Sequence, residues 1–119
     1  KYNQEKRTMR QFAMRDKAVH SEKHECLLGV QETGSHACYM IYGILKPNEK
    51  GRRVKPGIGH EEIVAAVTGE IEVTGHCSGT LGKGFDFHLQ GTDECYLENR
   101  SEEDVVYIIA GGHSKGSGH

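Results

Sequence analysis

Apolar positions along this chain fall in short runs, broken by glycines and charged turns. The clearest run is "FDFHLQG" (85–91), where Phe85, Phe87 and Leu89 alternate with Asp86, His88 and Gln90. A period of two predicts a half-buried strand. "ACYMIYGIL" (37–45) and "VVYIIAGG" (105–112) are aromatic and β-branched enough for buried strands. "CLLGVQE" (26–32) is strand-like, and "ECYLE" (94–98) holds a short strand before a charged turn. "EEIVAAV" and "EIEV" flank Thr68-Gly69, which predicts a hairpin. "RDKAVHSEKHE" (15–25) reads as polar loop. "KPNEKGRRVKPG" (46–57) carries both prolines, and only Val54 in it is apolar, so it reads as a surface loop. "TMRQFAM" (8–14) fits a strand or a short helix equally. Turn signals recur about every 8–12 residues, the spacing of an all-β sandwich or barrel.

Composition narrows the classes. The chain has 119 residues, enough for a single modest core. Its 15 basic and 17 acidic residues give a formal charge of −2, so no basic surplus drives binding to nucleic acid or an anionic membrane. No apolar stretch approaches the ~20 residues of a bilayer span, and the opening residues lack the apolar segment of a signal peptide. The four cysteines (26, 38, 77 and 95) form no CxxC pair. Without a secretory signal they are expected as free thiols in the cytoplasm. Eight histidines are an excess. Residues 114–119 end in "GSGH", which reads as a linker or tag remnant; a native metal-binding tail is the rival reading. The fold is therefore expected within residues 1–113.

Residues 37–112 resemble the cupins, small all-β proteins with a double-stranded β-helix (jelly-roll) barrel. The family's first motif ends in a Glu, six residues and a Gly, and Glu62 and Gly69 stand at that spacing. In its second motif a Gly and an Asn bracket fourteen residues, as Gly84 and Asn99 do here. The resemblance implies a barrel pocket, a metal held by three His and one Glu, and a homodimer formed through the outer sheet. The departures are specific. Pro56 and Ile58 (or Lys55 and Gly57) stand where the first two His belong, Cys95 replaces the third, and Gln90 replaces a motif Pro. Of the usual ligand set only Glu62 remains.

Residues i and i+2 of a strand share a face, so His60 accompanies Glu62 wherever it points. Cys95, at the family's His position, is expected to face inward too. These three, with His88 on the neighbouring strand, form a candidate site for a divalent transition metal: zinc, nickel, copper or iron. His88 faces the pocket only if Phe87 and Leu89 do not line it. Each residue also has a plain reading. His60 fits a strand edge bonded to a loop carbonyl, Glu62 a solvated carboxylate at the barrel mouth, and Cys95 a small buried hydrophobe. The pairs His24/Cys26 and His36/Cys38 would each put nitrogen and sulfur on one strand face, and would make one site if their strands were neighbours.

Two functions follow. One is a metal-binding cupin with the set His60, Glu62, Cys95 and His88. The other is a metal-free cupin that binds or senses a small molecule in a mouth lined by Tyr39, Tyr42 and Phe85. The run Ile63–Val67 is apolar on both faces, which predicts cover on both, with a second subunit as part of it. A strictly monomeric elution profile at micromolar concentration would count against that homodimer.

Overall fold

The computed structural model describes residues 8–114. Among these described residues nine strands form two antiparallel sheets. The strands are β1 (Glu25–Leu28), β2 (Cys38–Leu45), β3 (Arg52–Val54), β4 (Gly57–Ala66), β5 (Ile71–Gly75), β6 (Gly79–Leu81), β7 (Asp86–Gly91), β8 (Cys95–Glu98) and β9 (Val105–His113). One sheet runs β1-β2-β9-β4-β7 and the other β3-β8-β5-β6. Two short helices accompany them, α1 (Met14–His20) and α2 (Val30–Thr33).

The core lies between the sheets. Leu45, Val64, Leu89, Tyr107 and Ile109 come from the larger sheet, and Val54, Ile71, Val73, Cys95 and Leu97 from the smaller. Each is the inward member of an alternating strand, which is how a two-sheet fold fills the space between its layers. Asn99, also fully buried, ties the end of β8 to the chain after β2. Its Nδ2 donates to the carbonyls of Leu45 (3.0 Å), Lys46 (3.1 Å) and Glu103 (2.7 Å), and its Oδ1 accepts from the Ser101 N–H and hydroxyl.

Several expected elements differ. The predicted loop 15–25 contains α1, which packs on β1 and β2 and buries Ala18. The loop 46–57 contains β3, where Val54 enters the core and Arg52 bonds Glu49 and the Tyr107 hydroxyl. β4 and β5 do not pair as a hairpin. Residues 67–70 turn the corner between the sheets, because Ala66 and Ile71 must both reach the shared core. Residues 26–32 split between β1 and α2, and the Gly-rich connection 76–84 holds β6.

Exposed Met40 and Ile63, both opposite Ala110, stand on the outer side of the larger sheet. Among the described residues, no helix is long and apolar enough to cross a membrane.

Candidate functional site at the mouth of the sheets

Strands β2, β9 and β4 lie side by side, and their inward-facing positions carry Tyr39, Gly111 and Glu62 to one end of the core. Tyr39 is directly opposite Gly111, and Gly111 opposite Glu62. The Tyr39 ring lies across Gly111, where a Cβ would stand 2.1 Å from the ring. Only glycine admits the phenol there. The Tyr39 hydroxyl donates to Glu62 Oε2. Glu62 is 5% exposed, so water cannot replace that donor.

Burial pushes the Glu62 carboxyl above its ordinary 4.5, against the opposing pull of the Tyr39 hydrogen bond and the nearby His60. Burial, then the bond to Glu62, also raises the Tyr39 phenol well above its usual range, so it stays a proton donor. A carboxyl, a phenol and an imidazole thus share one half-buried spot.

β4 reaches this spot through an irregularity. Gly57 pairs with Gly91 but Glu61 already pairs with Gln90, so residues between them bulge out of register. Gly57 (φ 96°) and Gly59 (φ 85°) take the left-handed backbone this needs. The bulge swings Ile58 into solvent at 86% exposure. His60 resumes the inward parity opposite His113, with ring centroids 5.0 Å apart, and lies 6.1 Å from the Tyr39 ring. The two imidazoles, Tyr39, His36 and Cys38 line a cleft of about 360 Å3 whose apolar wall is Leu27, Val30 and Ile41.

The other expected site residues lie elsewhere. His88 is on the outer face, because Phe87 and Leu89 point inward on β7. It is exposed and pairs with Glu61 at 2.8 Å. Cys95 is fully buried in the core, its Sγ 3.6 Å from Cys77 Sγ. Tyr42 has the opposite parity to Tyr39 on β2, and Phe85 is 67% exposed at the turn before β7, so of the three predicted aromatics only Tyr39 lines the cleft. His36 and Cys38 share the cleft. The His24/Cys26 pair is at the far end of β2, with Cys26 opposite Tyr42. His113, which no motif marks, is the addition. It extends the face of Tyr107 and Ile109, so counting by two from the buried run would have found it. All four cysteines are free.

The family's four-donor metal centre does not fit these residues. Ile58 has no donor and faces water, Cys95 is engaged with Cys77, and Glu62 is engaged with Tyr39. Among the described residues, no group of three or more His, Cys, Asp and Glu side chains is placed to hold a metal ion. A larger cleft of about 450 Å3 lies by the 100–104 turn, but Glu70, Glu72, Glu102, Glu103 and Asp104 make it an acidic surface groove.

No family model matches the chain, and no curated protein sequence does. Solved structures do. An uncharacterized conserved protein with a double-stranded β-helix domain from Klebsiella pneumoniae is 12% identical, with a TM-score of 0.57 over 68% of this chain and 71% of its own. The cupin domain of Cnp3 from Schizosaccharomyces pombe is 15% identical, with a TM-score of 0.58 over 66% of this chain and 54% of its own. Oxalate oxidase in complex with the substrate analogue glycolate is 14% identical, with a TM-score of 0.65 over 80% of this chain and 54% of its own. The strand order, the buried Glu62 and these neighbours agree that the chain has the cupin double-stranded β-helix fold.

Proposed function

We propose that this cupin binds a small organic acid in the mouth cleft, without needing a metal. The observation that carries the reading is the convergence of Tyr39, Glu62, His60 and His113 on one half-buried spot beside an apolar wall. Imidazoles attract a carboxylate when protonated and donate to it when neutral. Burial raises the Glu62 carboxyl, so it repels a neighbouring acid less than an ordinary carboxylate would. The wall of Leu27, Val30 and Ile41 suits the carbon skeleton of the acid. The neighbouring oxalate oxidase holds glycolate, which makes glycolate the first probe.

The test is a thermal-shift titration in excess EDTA with glycolate and a panel of small mono- and dicarboxylates. A ligand that binds the native state raises the melting temperature in proportion to the logarithm of its concentration. We expect a saturable shift with at least one acid that disappears in His60→Ala. If no acid shifts the wild type, or if the shift survives in His60→Ala, the reading fails.

A second reading keeps a transition metal, with His60 and His113 as its first two donors. It is favoured by their rings lying 5.0 Å apart on paired strands. If zinc or nickel, without EDTA, shifts the melting temperature and no acid does, this second reading replaces the first.

A further inference from the structure

We propose that Cys77 and Cys95 are a thiol-oxidation site that closes into a reversible disulfide. The two Sγ atoms are 3.6 Å apart, and the Cys95 thiol also reaches the Cys77 carbonyl at 3.8 Å. One member is open to reagents and the other is not: Cys77 is exposed on the bend after β5, while Cys95 is fully buried on β8. An exposed thiol backed by a buried second thiol is the arrangement in which the first is oxidised and the second resolves it.

The bend is fixed against β8 from both sides. The His76 N–H donates to the Glu94 carbonyl at 2.8 Å, and Gly75 lies directly opposite Cys95. At Gly75 a Cβ would stand 2.5 Å from the Glu94 carbonyl oxygen, so the close approach depends on glycine. Closing to a bonded S–S length of about 2.05 Å takes a sulfur movement of about 1.5 Å. Side-chain rotation at Cys77, on the exposed bend, supplies it. Cys26 and Cys38 have no second thiol at hydrogen-bonding distance among the described residues.

With a peroxide as oxidant the chemistry balances in two steps. The Cys77 thiolate attacks a peroxide oxygen, the O–O bond breaks, and water leaves after protonation, giving a sulfenic acid on Cys77. The Cys95 sulfur then attacks the Cys77 sulfur. The S–S bond forms, the S–O bond breaks and a second water leaves with the Cys95 proton. Two thiols are oxidised and one hydrogen peroxide is reduced to two waters. A dithiol reductant reverses the change by exchange. Burial, the Cys95 contact and the nearby Asp93 all push the Cys77 thiol up, so the first step is expected to quicken as pH rises.

The experiment treats folded protein of the Cys26→Ser/Cys38→Ser background with hydrogen peroxide at mildly alkaline pH. Free thiols are then blocked with N-ethylmaleimide and the peptides mapped by mass spectrometry. The expected product is a Cys77–Cys95 linked pair, lighter by two hydrogens, that returns to two thiols with a dithiol reductant. Cys77→Ser should leave Cys95 unmodified under the same treatment, which shows that entry is through Cys77. Cys95→Ser should accumulate a Cys77 sulfenic acid that dimedone traps; where that variant does not fold, the Cys77→Ser result stands as the control. Progression of Cys77 to sulfinic acid beside a free Cys95, an intermolecular dimer, or no reaction at either thiol would overturn the proposal.

Discussion

Replacing Tyr39 with Phe removes one oxygen and leaves the ring over Gly111, so it isolates the hydrogen bond to Glu62 from the packing. At neutral pH the loss falls on a buried carboxylate. Removing a donor to an ionised acceptor costs roughly 1.5–3 kcal/mol where water cannot substitute, and Glu62 is 5% exposed. An unfolding entropy of about 2.1 cal/mol/K per residue converts this to a drop of about 6–12 °C in melting temperature for a chain of this length.

The pH dependence is the sharper part. The folded-state pKa of Glu62 lies above its unfolded 4.5, so between the two values the folded protein binds more protons than the unfolded chain. Stability from this group is therefore full below pH 4.5 and is lost as pH rises through the folded value. The Tyr39 bond pulls that folded value down, so Tyr39→Phe raises it further and extends the loss to higher pH. Near pH 4 Glu62 is protonated in both proteins. Only a neutral hydrogen bond is then missing, worth about 0.5–1.5 kcal/mol, or roughly 2–6 °C. Calorimetric melts of both proteins near pH 4 and pH 7.5, at one ionic strength, decide the matter. A gap that is equal at the two pH values, or wider at the acid one, would refute the reasoning, because a buried carboxylate that depends on Tyr39 cannot behave so.

Two further outcomes follow from the contacts. Asn99→Ala removes the bonds of a fully buried side chain to the carbonyls of Leu45, Lys46 and Glu103 together and is expected to cost about 2–4 kcal/mol in urea unfolding; a cost under about 1 kcal/mol would show that this tie between β8 and the end of β2 is not structural. His88→Ala removes only an exposed pair with Glu61, so stability should change by less than about 0.5 kcal/mol and ligand or metal uptake not at all; lost uptake would return His88 to the site.

Much of the strand pattern was legible in the sequence because it is a property of single strands. Phe87 and Leu89 on one face, His88 on the other, and the buried run of β9 follow from a period of two. What escaped depends on pairings between distant segments. Thr68-Gly69 carries hairpin chemistry, yet the flanking strands go to different sheets because each finds better cover there. Val54 looked isolated in a charged loop, but one apolar residue suffices for a three-residue strand when β8 lies alongside. The bulge at Gly57–Glu61 breaks the strand count, so the family spacing that aligns Ile58 with a ligand position says nothing of where its side chain points. The motif spacing singles out Glu62 and the aromatic content singles out Tyr39, but neither shows that the two are bonded. The bond between them needs the β2-β9-β4 order, and that is not written in either segment.

That order also constrains how the mouth can bind anything. Among the described residues, no buried side-chain nitrogen or oxygen lacks a hydrogen-bond partner. A ligand polar group that reaches Glu62 therefore exchanges with the Tyr39 hydroxyl instead of meeting an unsatisfied atom, and gains only the difference between two hydrogen bonds. Affinity must then come from the imidazoles and the apolar wall, with Glu62 and Tyr39 setting which ligand is tolerated beside them. For an acid, tolerance improves as pH falls and Glu62, its carboxyl raised by burial, gains its proton. Binding in the mouth should therefore strengthen on acidification for as long as the ligand keeps its own charge. A metal held by the same imidazoles would have to compete with protons and would weaken over that range.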